Sequence, residues 1–259
     1  MYLKEIYLDG RFIKVNHIPI IDFLKFEVTE YPFYSYLYSI TNNELLKPLT
    51  ELEPTSDIGF IYKKIGKLGI IYSGKNSYIY THYGKHLSHI KGYNLLSVIK
   101  QSSIPILFKR IDVAYDLYGV DLVPLILKSI IQSKKRLPIT MLSYDHKGNR
   151  LSMEDKEYES NIQTIYIGSL KSKFCICIYK KHLLLGVTGP ITRIEIRFKK
   201  KEASNFFCLY QHKDFNLNSL IRIYLNKYIS FKVPNSSKSS RLSRHKTVSW
   251  WLNFLSSLE

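Results

Sequence analysis

Arg110-Ile111-Asp112-Val113-Ala114-Tyr115-Asp116 places Arg110, Asp112 and Asp116 at one parity and Ile111, Val113 and Tyr115 at the other. Two later stretches have the same layout. In Thr192-Arg193-Ile194-Glu195-Ile196-Arg197-Phe198, Arg193, Glu195 and Arg197 alternate with Ile194, Ile196 and Phe198. In Lys173-Phe174-Cys175-Ile176-Cys177-Ile178-Tyr179-Lys180-Lys181, Cys175, Cys177, Tyr179 and Lys181 alternate with Phe174, Ile176 and Ile178. Successive side chains of a strand point to opposite faces, so each stretch predicts a strand with an apolar row to bury and an ionisable row facing a cleft. Carboxylates, arginines and a tyrosine on one sheet face suggest metal-assisted phosphoryl chemistry.

Working outward, the remaining segments predict antiparallel strands with interspersed helices, an α+β architecture with helices packed on one face of the sheet. Strands are expected over Tyr2–Leu8 and Phe12–Val15, joined by the hairpin signal Asp9-Gly10. Pro19–Val28 alternates toward its end, and a meander is expected across Gly59–Tyr62, Gly69–Gly74 and Tyr78–Tyr80. Residues 41–57 read as a loop or short helix, and Asn94–Lys100 has helical spacing. Asp121-Leu122-Val123-Pro124 opens a predicted helix running to about Lys134, where a basic end suits the macrodipole. Residues 137–162 are expected to hold a strand and a polar turn around His146-Lys147-Gly148-Asn149. Thr164–Gly168 and Phe174–Lys180 form a predicted hairpin, and Leu217–Ser230 a predicted helix. Residues 1–235 read as one catalytic domain, divisible into two similar α+β halves. Residues 236–259 read as a mobile basic linker leading into an apolar helix with Trp250 and Trp251, which either anchor it to the core or stack on bases.

The charge narrows the partners. Among 259 residues, 38 Lys+Arg against 21 Asp+Glu leave a formal charge of +17, a field that attracts nucleic acid first and anionic membrane surfaces second. At 45% hydrophobic the chain has enough apolar residues to fold. No apolar stretch approaches the ~20 residues that span a bilayer, and the first residues lack a signal-peptide layout. Three cysteines are too few for a disulfide scaffold, so a reducing, cytoplasmic setting is expected. Cys175-x-Cys177 lacks a second ligand pair and reads as two small strand residues rather than a metal site.

Several segments together resemble the replication initiation factor family, which comprises rolling-circle plasmid and filamentous-phage initiators and related conjugative-element relaxases. Arg110–Asp116 resembles its RxDxAxD strand. Thr164-Ile165-Tyr166-Ile167-Gly168-Ser169, Ser172 and Ile178-Tyr179-Lys180 resemble its T-x-Y-x-G-S…S…x-Y-x-K stretch, and Thr192–Arg197 its T-R-x-E-x-R strand. Ile21-Asp22-Phe23-Leu24 and Trp250-Trp251 also sit where the family has similar residues. In the family a Glu commonly follows the tyrosine–lysine pair; here Lys181-His182-Leu183-Leu184 stands instead. No His-hydrophobe-His motif occurs, nor does the family need one.

The resemblance implies a nickase/relaxase-like fold and a DNA endonuclease and strand transferase. A tyrosine attacks one phosphodiester, forms a 5′-phosphotyrosine and frees a 3′-hydroxyl. A phenol titrates near ~10, so the nucleophile needs a base, cation or metal beside it. Mg²⁺ or Mn²⁺ on carboxylates would serve, with Asp112, Asp116 and Glu195 as ligand candidates. Asp112 and Asp116 lie ~13 Å apart on a straight strand, which makes Asp112 with Glu195 the core pair and Asp116 a supporting group. Salt bridges to Arg110, Arg193 or Arg197 are the alternative for each. Tyr179 is the first choice of nucleophile, sharing a strand face with Lys181, which would steady the phenolate; Tyr166 is its rival. Arg193 and Arg197 suit phosphate clamping. Lys199, Lys200, Arg241 and Arg244 belong to basic clusters for the DNA backbone. Expected partners are single-stranded DNA or an origin hairpin and a host helicase and polymerase, since no phosphate-loop motif is present; a homodimer is compatible. The competing readings are a weakened DNA-binding homologue and a basic RNA-binding module.

Overall fold

A computed structural model of the chain describes residues 3–8, 10–16, 19–28, 59–63, 66–72, 78–83, 96, 99–100, 105–133, 141–144, 150–151, 163–212 and 214–259. The expected loop at 41–57 and turn at 146–149 lie outside these residues, and of Asn94–Lys100 only Leu96, Ile99 and Lys100 are described, all helical. The chain forms two compact units. Unit 1 takes Met1–Ile20, Ala114–Arg197 and Lys213–Glu259, and unit 2 takes Ile21–Val113 and Phe198–His212. Residues 236–259 fall inside unit 1. The architecture is α+β on an antiparallel sheet, as the alternation predicts.

In unit 1, β1 (Leu3–Leu8) and β2 (Arg11–Asn16) form a hairpin whose turn uses Gly10 at φ +82°, a conformation glycine adopts without a Cβ clash. Ile6 faces Ile13 across it, both buried. β2 continues onto the C-terminal part of β7 (Ile106–Tyr118) through Val15 opposite Leu117. On the other side of β7 the order runs β13 (Ile191–Lys199), β12 (Phe174–Lys180), β11 (Thr164–Ile167), β9 (Met141–Tyr144), β10 (Arg150–Leu151). The β11–β12 hairpin sets Ile165 against Ile178 and Tyr166 against Cys177.

Beneath this sheet lie α4 (Leu217–Tyr228) and α5 (Ser249–Ser257). Asn216 caps α4, its side chain accepting from the Ser219 amide at 2.8 Å. Tyr115 on β7 donates to Asn218 at 2.9 Å and meets Phe254 edge-on at 5.8 Å. Trp251 is 1% exposed and packs on Phe231 and Phe254, so the Trp pair anchors the terminal helix to the core.

In unit 2 the order is β7, β3 (Ile20–Val28), β6 (Tyr78–Tyr83), β5 (Gly66–Tyr72), β4 (Gly59–Lys63). α3 (Lys201–Gln211) covers part of it, with Phe206 stacked on Phe198 at 4.1 Å and Phe207 against Phe108 at 4.3 Å.

Four expectations are corrected. The helix predicted from Asp121 to about Lys134 ends early. α1 spans only Val123–Leu127, and Ile130–Ser133 becomes β8, paired with β14 (Ile229–Lys232). Asp121 does open it, its carboxylate accepting from the Val123 amide at 3.0 Å. Lys181 does not extend β12; it starts α2 (Lys181–Leu185). Residues 234–241, expected to be mobile, belong to a hydrogen-bonded loop that runs on to residue 246. Val233 N–H donates to Lys246 O at 2.8 Å, and the Ser236 hydroxyl accepts from Lys246 N–H at 2.9 Å. Finally, the ionisable row is not open to solvent, because residues 111–117 are buried on both strand faces.

Candidate functional site

Burying the ionisable row obliges its charges to pair, because an isolated charge out of water costs several kcal/mol. Asp116 is 1% exposed. Arg193 grips it bidentately, Nε to Oδ1 at 2.7 Å and Nη2 to Oδ2 at 3.0 Å, and Lys181 Nζ donates to Oδ2 at 2.6 Å. Burial alone would raise this carboxyl, but Arg193 and Lys181 outweigh it and hold it below the ordinary carboxylate range. Thr192, beside Arg193, donates to Val120 O at 2.8 Å and accepts from Leu122 N–H at 3.1 Å, tying β13 to the chain that leaves β7.

The other two carboxylates pair along their own strands. Residues two apart share a face, and Glu195 accepts from Arg197 Nε at 2.6 Å. The Arg197 guanidinium also lies 5.3 Å from the centre of the Tyr166 ring. Tyr166 sits opposite Cys177 on β12. Burial, with Cys177 alongside, pushes the Tyr166 phenol up to about 12 against the pull of Arg197. In unit 2, Arg110 Nε donates to Asp112 at 2.8 Å and 3.1 Å, its Nη2 closes a second contact, and its guanidinium covers the Phe23 ring at 4.2 Å.

Tyr179 is half-buried near the end of β12, opposite Thr164 on β11. Lys180 next to it bonds Asp121 at 3.1 Å. The structure therefore gathers Tyr166, Glu195 and Arg197 in one cluster, and Asp116, Lys181 and Arg193 in another. Lys181 is committed to a carboxylate instead of sharing a strand face with Tyr179. Asp112 belongs to unit 2 and Glu195 to unit 1. Among the described residues no three His, Cys, Asp or Glu side chains gather as a metal-binding set. Asp116 suits a cation worst, since two cations, Arg193 and Lys181, already hold its oxygens. Asp112 is held by Arg110 at both oxygens, and Glu195 by Arg197 at Oε1.

Cys175 and Cys177 are buried core residues, while Cys208 is exposed. Burial pushes the Cys177 thiol up to about 12. Because the thiolate is the reactive form, a native protein treated with a disulfide reagent is expected to release one equivalent, from Cys208, and three only after denaturation. Fast release of a second equivalent would contradict that packing.

Lys199 is half-buried, whereas Lys200, Arg241 and Arg244 are exposed cations as a phosphate-binding role requires. Lys200 has φ +54° and ψ −137°, a glycine region in which a side chain is strained. Its N–H donates to Lys109 O at 2.8 Å, holding the turn into α3. Lys200→Gly is expected to stabilise the protein by roughly 1 kcal/mol in urea unfolding while weakening binding to DNA at low salt. Unchanged binding would show that Lys200 serves only the turn.

A solved structure with the same fold is described as "Structure of Rolling Circle Replication Initiator Protein from Geobacillus stearothermophilus", similar at TM-score 0.64 and 16% identity over 93% of this chain and 96% of that one. That likeness defines the class of fold. The family model described as "Replication initiation factor" matches residues 106–259, a span that holds all the signature strands. The chain belongs to the replication initiation factor family. No curated protein matches it. Among the described residues no helix is long and apolar enough to cross a membrane.

Proposed function

We propose that this replication initiation factor starts rolling-circle replication by nicking DNA at an origin through a tyrosine ester. The observation that carries the reading is the family match over the very strands that bear Tyr166, Tyr179, Glu195 and Arg197. In the reaction, the tyrosine Oη attacks phosphorus and the bond to the 3′ oxygen breaks. The phenol proton passes to a base, and the departing oxygen takes one to become the primer hydroxyl. The 5′-phosphotyrosine keeps the phosphodiester's bond energy for later rejoining.

Tyr179 is the proposed nucleophile. Tyr166 is less suited, because its phenol lies near 12 and its ring is held between Cys177 and Arg197. Arg197, half-buried and next to Tyr166, is placed to bond a phosphate oxygen if it leaves Glu195. Arg193 is a positioning residue bound to Asp116. Lys199, Lys200, Arg241 and Arg244 supply contacts to the DNA backbone. Mg²⁺ or Mn²⁺ would polarise the scissile phosphate, with Glu195 or Asp112 as a ligand candidate. The partners are single-stranded or hairpin DNA in the cytoplasm, a helicase and polymerase from the host, and a second copy in a homodimer.

One observation favours a second reading, a DNA-binding homologue with weakened catalysis. Every acidic candidate is paired with an arginine, and the segment after Tyr179-Lys180 carries no acid. Labelled single strands from the encoding element, incubated with Mn²⁺, separate the two. A denaturation-resistant protein–DNA adduct supports nicking. Binding without an adduct from any fragment supports the homologue.

A further inference from the structure

The segment that follows Tyr179 and Lys180 is unusual for a surface. Residues 183–189 are all exposed, and four of them are apolar: Leu183 at 47%, Leu184 at 74%, Leu185 at 55% and Val187 at 45%. Scattered exposed leucines need no explanation, but a run of them at a single projecting tip does. The base of the tip is held from several sides. Lys181 is bound to Asp116 at 2.6 Å, and Ile191 N–H donates to His182 Nδ1 at 3.2 Å. Val187 N–H donates to His182 O at 3.2 Å, and Pro190 O accepts from Gly119 N–H at 2.8 Å. Gly186, left-handed at φ +63°, lets the chain leave the helix. The result is a rigid apolar knob on a fixed stem.

We propose that this knob is a wedge that inserts aliphatic side chains between bases of the origin DNA and unstacks them beside the nick site. The inference rests on the proposed action on DNA. Three features select nucleic acid as the occupant. Leu184 is five residues from Tyr179, so a strand reaching that tyrosine passes within ~18 Å of the tip, about five base steps. Residues 180–190 carry no acidic side chain, and the chain as a whole has a net charge of +17. Four side chains on a projecting tip are also far short of the ~800 Å² per partner that a stable dimer face buries. Leucine and isoleucine wedges that part base steps are an established way for basic proteins to deform DNA.

The test uses the full chain with Leu183→Ser, Leu184→Ser and Leu185→Ser combined. The probe is a set of supercoiled plasmids carrying fragments of the encoding element, with the same fragments as denatured single strands. Permanganate reactivity reports unstacked thymines independently of any cleavage. Wild type is expected to create reactive thymines in supercoiled DNA, and the variant to lose that reactivity at least tenfold. Nicking of duplex DNA should fall in parallel, while nicking of single strands persists. Thermal unfolding should not move, because the leucines are exposed.

Unstacking without nicking in the wild type would refute the catalytic reading and leave the wedge standing. Equal permanganate patterns in wild type and variant, or no reactive thymines in either, overturn the wedge. Equal loss of nicking on single and double strands overturns it too. A shift from dimer to monomer in sedimentation, with reactivity unchanged, would assign the knob to a second copy instead.

Discussion

Tyr179→Phe is expected to abolish the covalent protein–DNA adduct and lower nicking by on the order of 10³-fold or more, with DNA affinity nearly unchanged. Phenylalanine keeps the ring that fills the half-buried position on β12. It removes only the oxygen that would form the ester, so a loss confined to chemistry separates the nucleophile from a packing residue. Tyr166→Phe is expected to cost far less, a few-fold, through looser placement of Arg197 above its ring. Should the two variants exchange these effects, the reaction stands and its nucleophile becomes Tyr166. Should neither lose the adduct, another tyrosine attacks.

Asp116→Asn should produce the largest loss of stability, about 3–5 kcal/mol near neutral pH, because it leaves Arg193 buried without its counter-charge and frees Lys181 beside it. The pH dependence has a defined sign. The carboxyl is held low in the folded protein, whereas in the unfolded chain it titrates near the ordinary ~3.9. Its stabilisation is therefore complete above about pH 4 and declines as the pH falls through the depressed folded value. Urea unfolding across pH 7 to 3 should show the gap between wild type and Asp116→Asn narrowing only below about pH 4. A constant gap would mean that the loss comes from shape rather than charge. Adding Arg193→Met should recover part of the loss, and full additivity of the two changes would deny the pair its coupling.

The parts legible from sequence were those governed by local period. The alternation in Arg110–Asp116, Phe174–Lys180 and Thr192–Phe198 defines β7, β12 and β13, and Asp9-Gly10 defines the first hairpin. The same period of two places Arg110 beside Asp112 and Arg197 beside Glu195. The pairing of Asp116 with Arg193 and Lys181 joins residues 77 and 65 apart, and such partners are chosen by sheet order, which no local spacing reveals.

The α3 helix did carry a signal. Ala203, Phe206, Phe207 and Tyr210 recur at helical spacing and are its buried face, but the preceding Lys199-Lys200-Lys201 reads as surface charge. Residues 130–133 had helical continuity with α1, yet Ile130 and Ile131 went to a strand because β14 supplied a partner. The linker at 234–241 looked unstructured by composition. Its order comes from serine hydroxyls used as backbone partners, together with His245 Nε2 within 2.9 Å of Ser239 O.

The most direct measurement of the central claim is the location of the DNA on the protein. Adduct formed with Mn²⁺ and labelled single strands would be digested with nuclease and trypsin, and the peptide carrying residual nucleotide identified by mass spectrometry. The two candidate tyrosines fall on different products of cleavage after lysine, residues 174–180 for Tyr179 and residues 157–171 for Tyr166. The expected product carries a phosphonucleotide on Tyr179 in Phe174-Cys175-Ile176-Cys177-Ile178-Tyr179-Lys180. Nucleotide on Tyr166 would move the nucleophile one strand over, and no nucleotide on any tyrosine would contradict transesterification by this protein.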